Sequence, residues 1–142
     1  MSIHDDLSDD RTFVVTVSAE DNGNKYRLDG VLSPDITLTK GSTYTFDQSD
    51  PSNATHNIRI SATLNGPWNL GTEYTSGVTY HGTPGQAGAK TVITVPQDAP
   101  ANLHYYCLNH SGMANNAIGT VIADMSYEPK FPFIFGLVSK EQ

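Results

Sequence analysis

Cysteine occurs once in the 142 residues, at Cys107. A single thiol excludes an internal disulfide and any zinc site that needs several thiolates. Positive charge is also scarce. Eight Lys and Arg stand against fifteen Asp and Glu, giving a formal net charge of −7. Such a chain is a poor partner for nucleic acid or an anionic membrane, and a basic or neutral protein surface suits it better. No apolar run approaches the ~20 residues that span a bilayer. The opening residues, MSIHDDLSDD, lack the basic start and apolar segment of a secretory signal. The expected location is therefore cytoplasmic, or outside the cell by a route that needs no signal. Helical periodicity is missing too: no segment repeats its apolar residues at the 3.6-residue spacing.

What the chain does have is alternation. In RTFVVTVSAE, Phe13, Val15 and Val17 alternate with Thr and Ser, the pattern of a half-buried strand. The Asn-Gly step after it predicts a turn, with KYRLDGVLS returning as the second arm. DITLTKGSTYTFDQ reads as two short strands around Lys40-Gly41, and HNIRIS as another with Ile58 and Ile60 on one face. KTVITVP, ANLHYYC and AIGTVIA complete the set. In ANLHYYC, Leu103, Tyr105 and Cys107 share one face, and His104 and Tyr106 the other. About eight short strands with frequent turns predict an all-β fold, a Greek-key sandwich or barrel. The chain divides into an acidic leader over 1–10, a domain over 11–125 and an apolar C-terminal arm over 126–142. Within the domain, residues 61–89 have no sustained period and are expected to form a long excursion.

The chemistry concentrates in YYCLNHSGM. Cys107, His110 and Met113 follow one another at three-residue steps, placing a thiol, an imidazole and a thioether around one loop. These are soft and borderline ligands that suit copper, and a trigonal two-histidine, one-cysteine site with a weak axial Met is the blue-copper arrangement. A second histidine is required, and His4, His56, His81 and His104 are the candidates. The plainer alternative is that a buried free Cys packs as a small hydrophobe and Met as core filler.

His56, a long gap and then Cys-x-x-His-x-x-Met after an aromatic strand resembles the cupredoxins, and GSTYTF…ATHNI is similar to that family's first ligand stretch. The three-residue spacing resembles the amicyanin-like loop. The likeness covers roughly residues 30–123. It implies a cupredoxin-like sandwich holding one copper ion, with His56, Cys107, His110 and Met113 as ligands. It also implies that Asn57 braces the two ligand loops, and that His110 is the edge through which electrons leave. The chain departs from the family in the length between His56 and KTVITV and in the segment ANNAI before Gly119. More narrowly, GNKYRLDG, GTEYTSGV and GTPGQAGA together with the ligand loop resemble a cupredoxin-like module of virion structural proteins in marine phages. That implies a non-enzymatic accessory protein, cytoplasmic until assembly and then part of the virion. The alternative it leaves is a soluble blue-copper electron carrier.

The remaining features point to structure rather than chemistry. DQSDPSN offers Asp47, Asp50 and Asn53, but no acidic residue closes the set for calcium, so a solvated turn is expected. Ser111 beside His110 has no orienting acid and makes no triad. Trp68 is expected to cap or fill the core. The tail SYEPKFPFIFGLVSKEQ is apolar from Phe131 to Val138 yet broken by Pro129, Pro132 and Gly136. It is expected either to cover the protein's own core or to dock a partner through residues 127–138. Virion subunits or a second copy of the chain are the candidate partners.

Overall fold

The computed structural model of the chain describes residues 10–124. The leader before Asp10, with His4, and the apolar arm lie outside the described residues. Among the described residues ten strands form two sheets, with no closed barrel. In chain order they are β1 (Arg11–Glu20), β2 (Gly23–Leu28), β3 (Val31–Leu32), β4 (Ile36–Thr39) and β5 (Thr43–Asp47). Then follow β6 (Ile58–Ser61), β7 (Val78–His81), β8 (Lys90–Thr94), β9 (Asn102–Cys107) and β10 (Gly119–Ile122).

The larger sheet has the order β3-β2-β1-β5-β8-β7 and the smaller β4-β10-β9-β6. Both are mixed: β1 runs parallel to β5, and β10 parallel to β4. Two strands exceed the sequence expectation of about eight. One is β3, whose two exposed residues carry no alternation to detect. The other is β7, the extra strand inside the excursion, which pairs antiparallel with β8.

The alternating residues find one core between the sheets. Phe13, Val15, Tyr26, Phe46, Ile58, Ile60, Leu103, Tyr105 and Cys107 all belong to it. Aromatic rings dominate its middle. Phe13 stacks on Phe46 at 5.3 Å, and Tyr105 tilts against Phe46 at 6.0 Å and Tyr26 at 6.4 Å. Such pairs add about 0.5–1.5 kcal/mol each beyond the burial of their area. The β1–β2 hairpin closes with Glu20 opposite Gly23, so the two turn residues are Asp21 and Asn22. Gly23 itself opens the second strand at a φ of 111°, in the left-handed half of the map that glycine enters without steric cost.

The excursion is fastened rather than loose. A 3-10 turn at Gly66–Asn69 lies over the outer face of β9. A Cβ on Gly66 would stand 2.9 Å from the Tyr106 ring, so only glycine lets the backbone approach this closely. This cover explains why Tyr106, on the non-core face of β9, is still only 2% exposed. Farther along, Arg59 of β6 pairs with Glu73 at 3.0 Å and lies 4.0 Å over the Tyr80 ring of β7. The Tyr80 hydroxyl donates to Glu73 as well, and burial pushes its pKa well up. The excursion thereby ties the edge of the small sheet to the edge of the large one. Among the described residues no helix is long and apolar enough to cross a membrane.

Candidate metal centre

His56, Ile58 and Ile60 share a parity, so the face of β6 that carries the two isoleucines into the core turns His56 inward at the strand's start. β6 pairs antiparallel with β9, with Ile58 opposite Cys107. That register sets His56 beside the end of β9, where the chain turns into the loop bearing His110. Three donor atoms meet there. His56 Nδ1 lies 3.1 Å from His110 Nδ1, and Cys107 Sγ lies 3.9 Å from the first and 3.6 Å from the second. A triangle with these sides is acute, and its circumscribed radius is about 2.1 Å, the ordinary length of a metal–imidazole bond and close to that of a metal–thiolate bond.

His56 and Cys107 are buried while His110 is exposed. Met113 is 1% exposed and packs in the core alongside Cys107. Burial, with His110 adding to it, holds the His56 imidazole below its usual pKa, which favours the neutral form that ligates metals. The donor set therefore fits a metal ion: two imidazoles and a thiol whose donor atoms lie within 4.8 Å of one another, and a thioether nearby. The other candidate histidines do not join it. His104 Nδ1 faces the Ala117 carbonyl at 3.1 Å, and His81 is exposed and meets Thr79 at 3.1 Å.

The peptide of His56 is held from two sides. Its carbonyl accepts from the Tyr26 hydroxyl at 2.7 Å and from Gln48 Nε2 at 2.6 Å. Gln48 also donates to Asn53 Oδ1 at 3.0 Å, and its Oε1 accepts from the Ile58 amide at 2.9 Å. Asn53 reaches back to the Val15 carbonyl at 2.8 Å. Gln48 and Asn53 are 1% and 0% exposed. The expected solvated turn at DQSDPSN is thus in part a buried polar network, because β1 crosses above it. Tyr26 is 0% exposed, and burial raises its hydroxyl well above the usual tyrosine pKa, so it remains a donor.

The loop that carries Cys107, His110 and Met113 is braced by Asn57 and, for the most part, by side chains that the sequence did not single out. Asn57 joins the two ligand loops through its backbone, its carbonyl accepting from the Leu108 amide at 3.0 Å. Its side chain, just before β6, accepts from Arg59 at 3.1 Å. Side-chain bridges come from elsewhere. Asn109 donates to the Thr55 carbonyl at 3.0 Å, Lys25 to the Gly112 carbonyl at 2.6 Å, and Trp68 to the Cys107 carbonyl at 2.9 Å. Asn65 accepts from the Gly112 amide at 3.0 Å and donates to the Ser111 hydroxyl at 2.9 Å. Of the two expected roles for Trp68, filling the core is not the one it takes: the residue is 48% exposed and caps the end of β9 through its N–H. No protein-family model, no curated protein and no solved structure matches the chain.

Proposed function

We propose that this chain is a cupredoxin-like module that binds one copper ion at a type 1 site made by His56, Cys107, His110 and Met113. The observation that carries the reading is the convergence of three donor atoms on one point at bond length. Copper would supply a one-electron couple there, the thiolate and imidazoles suiting both oxidation states. The chain's own residues provide constraint. Gln48 and Tyr26 fix the His56 peptide, while Asn65, Lys25 and Trp68 fix the loop of the other ligands. Ligands held this firmly move little when their charge environment changes.

In this reading the module is non-enzymatic. It serves as an accessory part of a larger assembly, a phage virion on the resemblance, with the metal stabilising the folded body. A ligand that binds only the native state contributes about 4 kcal/mol at a thousand times its Kd. The second reading, a blue-copper electron carrier, is favoured by the exposure of His110 with Leu108, 41% exposed, two residues before it.

Adding Cu(II) to the purified, reduced protein tests the site. The expected result is one equivalent bound, with an intense sulfur-to-copper charge-transfer band that Cys107→Ser abolishes. A folded, reduced protein that shows no such band refutes the copper reading, as does equal tight binding to Cys107→Ser. The assembly role is tested by removing residues 127–142. The truncated protein should stay folded and lose its partner, and a protein that unfolds instead assigns the arm to its own core.

A further inference from the structure

A cleft of about 440 Å³ opens beside the ligand loop, lined by Asn22, Lys25, Asn65, Trp68, Asn115 and Asn116 among others. The residues come from the β1–β2 turn and β2, from the excursion, and from the segment after Met113. The lining includes no carboxylate. It is built from amides, one ammonium and one indole.

Lys25 is the residue that asks for a ligand. It is 6% exposed, and its Nζ donates to one neutral carbonyl, that of Gly112. The ion pairs among the described residues are Arg11–Asp29, Arg27–Glu20 and Arg59–Glu73, so none satisfies Lys25. Lysine is almost never this buried without a charged partner. Scarcity does not explain this, because ten carboxylates lie among the described residues and none of them pairs with Lys25. Two of the three ammonium hydrogens remain for whatever enters the cleft. Asn22 and Asn116 are exposed, and their carboxamides bond to no other described residue, leaving donors and acceptors on both sides. Trp68 has its N–H committed to Cys107, yet its ring stands half exposed at the cleft.

We infer that this cleft binds a small acidic saccharide. The sugar's carboxylate meets Lys25, its hydroxyls meet the asparagine amides, and one face of its ring lies on Trp68. Each part answers a feature of the lining. A carboxylate gives the buried ammonium a charge-assisted hydrogen bond. Hydroxyls both donate and accept, as amides do. The C–H face of a pyranose carries slight positive charge and packs against the negative face of an indole. Inorganic phosphate would satisfy Lys25 but leave the indole bare. Nothing here requires a metal, so the inference stands or falls apart from the copper reading.

The chain has one tryptophan, so its emission reports the cleft directly. Metal-free protein is titrated with D-galacturonate, a galacturonate trimer, D-galactose and inorganic phosphate. Both uronates are expected to give a saturable shift, with galactose and phosphate at least about tenfold weaker. Lys25→Met should lower uronate affinity by about tenfold to a hundredfold. Because Lys25 is buried and its replacement bears on folding, Asn116→Ala is measured in parallel; it should weaken binding by about threefold to tenfold with an unchanged melting temperature. A trimer that binds more tightly than the monomer assigns the cleft to a polysaccharide, and equal binding assigns it to free sugar acids. The inference is overturned if neither uronate gives a saturable shift, if phosphate matches them, or if both variants bind as well as the parent.

Discussion

Replacing Gln48 with leucine puts an apolar side chain of comparable bulk, one bond shorter, in its place and removes every polar contact it makes. The structure allows the cost to be worked out group by group. The Ile58 amide loses its acceptor, and Asn53 Oδ1 loses its donor, both in the interior. The His56 carbonyl keeps the Tyr26 hydroxyl. A buried polar group without a partner costs about 1–3 kcal/mol, so two such groups, offset slightly by the added apolar surface, come to about 2–5 kcal/mol. Tyr26→Phe is the matched control. It removes one of two donors to the His56 carbonyl and strands nothing, for about 0.5–1.5 kcal/mol. Urea unfolding of the metal-free variants measures both. Gln48→Leu must be clearly the more damaging, and it should also weaken metal binding by about tenfold or more, because the His56 ring loses its anchor. Equal destabilisation by the two variants would refute the claim that the network under DQSDPSN holds the first ligand in place.

Gly66→Ala should destabilise the protein by about 1–3 kcal/mol in thermal unfolding, since its methyl group meets the Tyr106 ring and its backbone sits at a φ of 52°. Met113→Leu, at a 1% exposed core position, should change stability by less than about 1.5 kcal/mol while shifting the visible spectrum of the copper-loaded protein; an unchanged spectrum removes Met113 from the site. The metal-free protein should lose stability in acid. His56 has its pKa lowered in the fold, so as pH falls below about 6.5 the unfolded chain takes up the proton first and folding weakens. The loss continues until the folded-state pKa is passed, and His56→Gln should flatten that part of a melting-temperature profile.

The strands that face the core could be read from the sequence because one physical rule governs them. Phe13 and Val15, Ile58 and Ile60, and Leu103, Tyr105 and Cys107 alternate with polar neighbours, and each set is buried as the period requires. The same rule sets Cys107 on the face of Leu103 and Tyr105, whereas His56 is singled out only by the family resemblance. The rule could not reveal β3, which is too short for a period, or the parallel pairing of β1 with β5, which depends on the path between distant segments. Polar side chains were the hardest to place. Gln48 and Asn53 read as solvated because their composition is that of a surface turn, and only β1 crossing above them puts them inside. Trp68 leaves capping and filling the core both open, because an aromatic in a loop without periodicity gives no sign of which way it faces.

The register that sets Ile58 opposite Cys107 also has a consequence in time. His56 lies about fifty residues before Cys107 and His110 along the chain, and the three candidate donors meet only after β6 and β9 have paired. Closing a loop of that size comes before any reward from its contacts, and such non-local pairings form slowly. A metal ion therefore cannot nucleate this fold as it does in small domains whose ligands are close neighbours. An ion bound there would find its site complete only in a finished sandwich, so loading would be a late event that reports on folding rather than driving it.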